Sequence, residues 1–407
     1  VGDLAHRVLE AEEDEQAAGE HEGVAGTQQA GEVFLEFAKY LPAAPPARHQ
    51  PHLQQCRLDD GADIHPVLGR DPSGADVVPI LRVAKQFFPG VVGVQGISAG
   101  CHELQHVVEV GAGVKHLKVG DLVVPSVRRT CPDPNCRPCQ IDRQDFCATW
   151  KFNERGINQH HGYMTEFFVD DEKNFTLVPP DLRPFAVLAE PLTIAEKGLA
   201  QVWDVQQRLP WACVEPGQPK GRGLRAVVLG AGPIGILGAM TCVLNGFDTY
   251  VYSRSPKPND KAALVESFGA KYISISECTP AQLAERVGNI DLVYEAVGVA
   301  KTSFDVMMHL GLKGVFVFTG IPAPEGHVQL EGNQLMRNLV LKNQVTIGTV
   351  NADKAAFQAA IRDLGEFKRR WPHALEKVIS ARHPIDNFRE LLTGKATGIK
   401  NVIAFGK

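Results

Sequence analysis

Four cysteines crowd into one short segment of the sequence. Cys131, Cys136, Cys139 and Cys147 are separated by four, two and seven residues in RRTCPDPNCRPCQIDRQDFC. Four thiolates on a short proline-containing lobe can close a tetrahedral zinc site with no open coordination position, which makes such a site structural rather than catalytic. A chance cluster or disulfide pairing are the alternatives, and disulfides are rare in cytoplasmic proteins. We therefore predict a structural zinc site.

A glycine-rich turn follows an apolar run later in the chain, in RAVVLGAGPIGILGAM. In a strand-turn-helix unit the first glycine permits a tight turn, the second lets the backbone approach a pyrophosphate, and the third lets helix and strand pack closely. The helix N-terminus adds free N–H groups and the positive end of its dipole. A purely structural turn is the alternative. We predict dinucleotide binding by Gly230, Gly232, Pro233, Ile234 and Gly235.

The next strand-like run ends in YVYSRS, where NAD enzymes usually carry an acidic residue that binds the ribose 2′-hydroxyl. Ser253 and Arg254 occupy that place here. An arginine beside a hydroxyl can neutralise a 2′-phosphate, and the missing carboxylate removes the repulsion against it. The pair therefore favours NADP over NAD, with dual use of both cofactors, or a merely solvated Arg254, as the alternatives.

Two further turns follow apolar runs of the same kind. In open α/β sheets, ligands bind at the carboxyl ends of the strands. Cofactor contacts are therefore predicted for two groups of residues, although ordinary strand-to-helix turns are the alternative: Ala296, Val297 and Gly298, then Thr319, Gly320 and Ile321.

The secondary-structure elements that must position these residues show two different sequence patterns. Short apolar runs broken by Gly and Pro, such as Gln105–Val110 and Asp121–Val127, predict a strand-rich, barrel-like domain. From residue 225 onward, strand-like runs alternate with helical stretches, which predicts a doubly wound parallel sheet in an α/β protein. Six runs are expected to form it: Arg225–Leu229, Thr249–Ser253, Lys271–Ser276, Asp291–Glu295, Gly314–Thr319 and Val345–Val350. The C-terminal stretch predicts helix and loop, then a strand at Asn401–Phe405.

Composition narrows the function classes. The 407 residues carry a formal net charge of -5 and no cluster of Lys and Arg, which argues against nucleic-acid binding. The longest apolar stretch, Ala226–Met240, is shorter than the ~20 residues that span a bilayer. Nine scattered cysteines do not resemble a secreted disulfide framework. We expect a cytoplasmic protein without membrane or nucleic-acid partners.

From residue 111 to the C-terminus the sequence resembles the glucose dehydrogenases of the zinc-containing medium-chain dehydrogenase/reductase family. The resemblance is carried, in order, by VGAGVKHLKVGDLVVPSVRR, the cysteine lobe, FNERGI, HHGYMTEFFVDDE, LAEPLTIAEKGL, EAVG, VFVFTGIP and IGTVNA. It implies a GroES-like catalytic domain and a Rossmann domain, with the active site in the cleft. It also implies a homo-oligomer, either a dimer or a tetramer.

On this basis we expect four parts of the chain. Residues 1–95 form an atypical segment, whose opening valine suggests a truncated or misread end. The GroES-like domain covers 96–215, the Rossmann domain covers 216–350, and 351–407 return to the catalytic domain.

The resemblance further implies a catalytic zinc held by a cysteine, a His-Glu pair and a later glutamate. His102 and Glu103 in CHELQHVVEVG match the pair, and Glu190 in LAEPL matches the later position. No cysteine stands at the expected distance before His102: Cys101 adjoins it and Cys56 is distant. A hydrogen-bonded structural histidine is the alternative for His102.

Two more site residues are implied by the same resemblance. Glu154 in NERGI matches a position that binds sugar hydroxyls, although alone it would read as a surface ion-pair partner. Asn351 in TVNA matches a position near the nicotinamide and substrate. The function implied is zinc-assisted oxidation of an aldose, D-glucose in the first instance, at C1 by NADP. The alternatives are a zinc polyol or alcohol dehydrogenase, and an NADP-binding protein that lacks catalytic zinc and activity.

Overall fold

A computed structural model describes residues 91–95, 105–165, 167–210, 217–324, 326–394 and 397–404. His102, Glu103, Cys101 and Cys56 lie outside these ranges. Within them, the predicted α/β class is confirmed: one strand-rich region precedes a large parallel sheet flanked by helices.

The strand-rich region holds an antiparallel five-stranded sheet in the order β7-β1-β2-β3-β8. A smaller sheet of β4, β5 and β6 lies beside it. The predicted strand at Gln105–Val110 is confirmed, and the sheet also includes β1, upstream of residue 96. The bounds are β1 Val91–Gln95, β2 Gln105–Val110, β3 Leu122–Pro125, β4 Arg128–Arg129, β5 Asn153–Arg155, β6 Gln159–His160, β7 Phe167–Asp171 and β8 Phe175–Val178.

The parallel sheet has the order β11-β10-β9-β12-β13-β14, so β9 lies at the centre and the chain winds outward in both directions. All six predicted runs form strands, and their ends differ from prediction by no more than two residues. The central strands are buried on both faces, which explains their continuous apolar sequences. The bounds are β9 Arg225–Leu229, β10 Asp248–Ser253, β11 Lys271–Ser274, β12 Leu292–Glu295, β13 Val315–Phe318 and β14 Val345–Gly348.

Ten α-helices lie within the described residues. Their start signals are local: the Thr279 hydroxyl and the Gln282 side chain form a capping box, and Asp353 caps the helix that starts at Lys354. The bounds are α1 Arg137–Gln140, α2 Ala189–Gln206, α3 Pro233–Leu244, α4 Asp260–Ser267, α5 Pro280–Val287, α6 Ala300–Met307, α7 Gly332–Leu341, α8 Lys354–Arg370, α9 Pro372–Val378 and α10 Phe388–Thr393.

Helices α2 and α8 pack against each other and join the two sheets. Leu192 and Leu364 from these helices are fully buried in one continuous core. The same core includes Leu122 of the strand-rich region and Val228 of the parallel sheet. Side chains that reach from α2 can therefore hold both regions in a fixed relation.

The C-terminal stretch contains one strand more than predicted. The expected final strand is found as β16, Lys400–Ala404, and it pairs in parallel with β15, Ile379–Pro384. The prediction of helix and loop alone over that part was wrong, because β15 belongs to a sheet of only two strands and its sequence, ISARHP, has no apolar run of the kind that marks a buried strand. No helix in the described parts of the chain is long and apolar enough to cross a membrane.

Candidate functional site

The four clustered cysteines converge on one point. α1 carries Cys139, a 3-10 turn at Gln144–Phe146 precedes Cys147, and Cys131 and Cys136 lie on the loops before α1. All four thiols are buried and free, and their sulfur atoms lie within 4.8 Å of one another. The disulfide alternative therefore does not describe this lobe.

The spacing of the sulfur atoms fits a zinc ion. Zn–S bonds of about 2.3 Å in a tetrahedron place the sulfurs about 3.8 Å apart, and Sγ of Cys136 lies 3.9 Å from Sγ of Cys147. The backbone N–H of Cys139 lowers the pKa of the Cys136 thiol to about 6, which favours the thiolate. Burial raises the pKa of Cys139, a cost that a bound dication would offset. The lobe can hold one structural zinc.

The glycine-rich turn has the geometry that its spacing predicts. Gly230 adopts φ +101°, a left-handed conformation that a side chain would strain. A Cβ on Gly235 would lie 2.2 Å from the carbonyl oxygen of Gly230, so only glycine lets α3 approach β9 this closely. α3 begins at Pro233 and receives no side-chain cap from Gly232. Its first N–H groups are therefore available to a phosphate.

Ser253 ends β10, and Arg254 follows it on the surface. The Arg254 guanidinium makes no ion pair with any residue in the described ranges. Both side chains stand at the carboxyl end of β10, next to the strand that carries the glycine turn. An anionic group bound at this edge of the sheet would find a cation with no competing carboxylate partner.

Glu295 is a site residue that the sequence analysis missed. Its side chain is 1% exposed. It accepts hydrogen bonds from the backbone N–H groups of Val297, Gly298 and Gly320 at 2.7–2.9 Å. Thr319 also donates its hydroxyl to the Glu295 carbonyl. The two turns predicted to contact the cofactor are therefore tied together by one carboxylate, whose sequence signals were its place at the end of β12 and in the EAVG segment.

These bonds change what the two turns can offer a ligand. The N–H groups of Val297, Gly298 and Gly320 already have an acceptor, so they are not free donors. The side chains of Val297 and Ile321 are 37% and 51% exposed, respectively, and Ala296 lies partly buried between the strands. These turns therefore offer apolar contact surface at the carboxyl edge of the sheet.

Glu154 and Asn351 are brought together by the fold. Glu154, on β5, is 8% exposed, and its Oε1 accepts from Nε of Arg128 at 2.9 Å. The same oxygen accepts from Nδ2 of Asn351 at 2.8 Å. Oε2 accepts no hydrogen bond from any residue that the structure describes. The surface ion pair that Glu154 would suggest by itself is thus a buried one, with one oxygen left for a ligand.

A second buried ion pair adjoins this contact, and the sequence analysis did not find it. Nζ of Lys197 lies 2.9 Å from Oδ2 of Asp145, with side-chain exposures of 4% and 0%. Lys197 also donates to the carbonyl of Val350 at 2.8 Å. Burial acts to raise the pKa of Asp145, but hydrogen bonds from Arg143 and Lys197 hold it below its usual value. Both residues stand in segments that carry the resemblance, but nothing in the sequence indicates that they pair, because they are 52 positions apart.

Glu190 lies in the first turn of α2. Burial raises the pKa of its carboxyl above the usual value, and the charge of Lys400 acts in the opposite direction. Its carboxylate accepts no hydrogen bond from the described residues. A half-buried carboxylate with no hydrogen-bond donor among the described residues suits a cation as partner. Among the described residues, however, the cysteine lobe is the one group of metal-ligating side chains that converges, and the other implied ligands, His102 and Glu103, lie outside them.

Comparison with known proteins adds family models and relatives. A model described as "Glucose dehydrogenase C-terminus" matches residues 183–405, and one described as "Alcohol dehydrogenase GroES-like domain" matches residues 84–180. The glucose 1-dehydrogenase of Methanocella arvoryzae is 32% identical over 351 residues, which cover 86% of this chain and 89% of that protein. The glucose 1-dehydrogenase 1 of Caldivirga maquilingensis is 34% identical over 312 residues, 76% of this chain and 82% of that one.

A solved structure of a glucose dehydrogenase also resembles this chain. The glucose dehydrogenase of Haloferax mediterranei, in complex with NADP, Zn and gluconolactone, superposes with a TM-score of 0.68 at 25% sequence identity. The match covers 78% of this chain and 93% of that one. The similarity therefore spans both the strand-rich region and the parallel sheet.

Proposed function

Since the chain belongs to the glucose dehydrogenase family, we propose that it oxidises an aldose, D-glucose in the first instance, at C1 to the aldonolactone, with NADP as the preferred acceptor. The observation that carries the proposal is the buried contact between Glu154 and Asn351, which joins the strand-rich region to the residues after β14. The gluconolactone held by the Haloferax mediterranei relative supports the same substrate class.

Glu154 supplies the sugar-binding chemistry. A carboxylate can accept hydrogen bonds from two adjacent hydroxyls, and sugars present such pairs. Arg128 and Asn351 occupy Oε1 and fix the plane of the carboxylate, so Oε2 is oriented toward a ligand before the ligand arrives. A preoriented acceptor reduces the entropy lost on binding and helps to hold C1 at one position.

The cofactor would lie along the carboxyl edge of the parallel sheet. The turn at Gly230–Gly235 would receive the pyrophosphate, and the apolar surface of Val297 and Ile321 would pack against the nicotinamide half. Ser253 and Arg254 would bind the 2′-phosphate, because a guanidinium with no carboxylate partner can pair with it. This arrangement is the basis for proposing NADP rather than NAD.

A metal at His102, Glu103 and Glu190 would supply Lewis-acid chemistry, which lowers the pKa of a bound hydroxyl. The reaction itself removes a hydride from C1 and a proton from the C1 hydroxyl, and leaves the lactone carbonyl and NADPH. Within this chain, Glu190 would place a carboxylate in that site from the first turn of α2. The cysteine lobe has no open coordination position and would serve the fold alone.

One experiment separates this function from its alternatives. The purified chain is assayed with NADP+ and NAD+ against D-glucose, other aldoses, polyols and simple alcohols, and its zinc is counted. Turnover of aldoses with NADP+ and two zinc ions per chain are expected. Turnover of polyols or alcohols alone would indicate the other dehydrogenase class. One zinc per chain and cofactor binding without turnover would indicate a binding protein.

We also expect a homo-oligomer. Met336, Val340 and Leu341 on α7 are 65–68% exposed, and a cluster of this kind on one helix favours contact with a second copy. Light scattering coupled to size-exclusion chromatography measures the oligomeric state directly, and a monomeric mass would contradict the expectation. The cytoplasmic location stays a prediction.

A further inference from the structure

Lys197, in the third turn of α2, lies between the cysteine lobe and the end of β14. Its ammonium contacts Asp145 of the lobe at 2.9 Å and donates to the Val350 carbonyl at 2.8 Å, with the ring of Phe146 4.5 Å away. The side chain is 4% exposed. A buried ammonium must keep its partners, because water is not there to replace them. Its position therefore fixes the groups that it contacts.

The residues before Asn351 are held by α2 at two consecutive positions. Gln201, one turn after Lys197, donates to the hydroxyl of Thr349 at 3.1 Å, and Lys197 holds Val350. Asn351 then adopts φ +61°, a left-handed conformation that costs free energy for most residues with a side chain and that asparagine adopts more readily than others. The surrounding contacts must stabilise that conformation. It is the conformation in which the Asn351 amide reaches Glu154.

The contacts close into a ring of six residues, called here the polar ring: Asp145, Lys197, Val350 through its backbone carbonyl, Asn351, Glu154 and Arg128. Asn351 donates to Glu154 at 2.8 Å, Arg128 donates to the same oxygen at 2.9 Å, and Arg128 also donates to the Asp145 carbonyl at 3.4 Å. Movement of any member disturbs two of its neighbours. Lys197 is the member that joins the lobe to the β14 end.

We infer that Lys197 is a positioning residue for the sugar site: through the Val350 carbonyl it holds the Asn351 amide against Glu154, and through Asp145 it anchors that contact to the cysteine lobe. The inference rests on the proposed function, because Glu154 is the sugar acceptor there. Lys197 follows Glu190 by seven residues on α2, so the two share one face of the helix. One rigid helix would thus carry a metal ligand, Glu190, and also position the sugar acceptor, Glu154, through Lys197.

The first test is kinetic, on the full-length chain. Lys197→Met keeps the apolar stem and removes the donor, and we expect the KM for aldose to rise about tenfold. The KM for NADP+ should change less than about twofold, since the turns proposed for the pyrophosphate and the 2′-phosphate lie outside the ring and only Asn351 is expected near the nicotinamide. Lys342→Met is the matched control, because Lys342 also donates to a distant backbone carbonyl, that of Leu310, but within the parallel-sheet region. It should leave both KM values unchanged.

A double-mutant cycle tests the route of the effect. If Lys197 acts through Asn351, Lys197→Met added to Asn351→Ala should raise the aldose KM no further than Asn351→Ala alone. The inference would be overturned if Lys197→Met raised both KM values equally or left the aldose KM unchanged. It would also be overturned if the aldose KM of the double variant rose by the product of the two single effects. Should Lys197→Met not fold, Lys197→Gln keeps an N–H donor group and should show a smaller rise of the same kind.

The second test does not depend on turnover. In a crystal structure of the Lys197→Met chain, the Asn351 to Glu154 distance should open from 2.8 Å to beyond about 3.5 Å, outside hydrogen-bond range. An unchanged distance would overturn the positioning role. If the unmodified chain oxidises no aldose, it is the proposed function that fails, and the crystal structure still decides whether Lys197 holds Asn351.

Discussion

The amide nitrogen of Asn351 donates a hydrogen bond to Oε1 of Glu154 over 2.8 Å, although the two residues are 197 positions apart. Glu154 lies on the short strand β5 and Asn351 follows β14 at the far edge of the parallel sheet. The contact thus makes one site from residues of two sheets.

Replacement of Asn351 by alanine should weaken sugar binding. Because the substitution removes a hydrogen bond to a buried carboxylate, we expect the KM for aldose to rise about tenfold and the KM for NADP+ to rise less. Asn343→Ala is the matched control, because Asn343 is also an asparagine at positive φ, +50°, but has no contact with Glu154. Equal effects of the two substitutions would mean that backbone strain alone is responsible.

Replacement of Cys139 by serine should remove the structural zinc. With three thiolates left, the lobe should lose about one zinc per chain, and Tm should fall by about 5 °C or more, because the metal stabilises the folded lobe. Elemental analysis and thermal unfolding measure both. Cys242→Ala removes a buried thiol that is not part of the cluster. It should keep the full zinc content, and an equal loss there would contradict the assignment.

Replacement of Arg254 by alanine should change cofactor choice. Loss of a charge-assisted contact to the 2′-phosphate should raise the KM for NADP+ by about 10- to 100-fold and leave the KM for NAD+ nearly constant. Arg286→Ala, at an exposed arginine on α5, is the control. A parallel rise for both cofactors would show that Arg254 supports the sheet edge rather than the phosphate.

The stability of the chain should fall as the pH rises from about 5 to about 9 through Glu196. Burial and the neighbouring Asp363 raise the pKa of Glu196 from 4.5 to about 9. The folded chain therefore retains a proton that the unfolded chain has lost, and the free energy of unfolding decreases with pH across that window.

The test is Glu196→Gln, which imitates the protonated carboxyl at every pH. Relative to the unmodified chain, its Tm should be higher by roughly 2–4 °C near pH 8.5, and the difference should shrink toward pH 5. Glu285→Gln, at an exposed glutamate on α5, should follow the unmodified chain. A constant offset at all pH values would show that the carboxyl stays ionised in the fold.

The sequence by itself determined the features whose signals are local. Gly230 and Gly235 mark the turn after β9 because only glycine has the required conformation and closeness. The cysteine spacing predicted the zinc-binding lobe because all four cysteines lie within seventeen residues of sequence. The six parallel strands were recognisable because strands buried on both faces are continuously apolar.

The tertiary structure alone decided the contacts between distant parts. Without the family resemblance, which implied sugar binding, Glu154 would be predicted as a surface ion-pair partner, and only the fold shows that it is buried and bonded to Asn351. The contacts of Lys197, Asp145 and Glu295 could not be predicted, because a hydrogen bond between two distant elements leaves no characteristic spacing in the sequence. β15 was missed because its partner β16 is separated by a helix. Sequence periodicity reports which face of an element is buried, whereas only the packing of α2 on both sheets fixes which polar groups meet there.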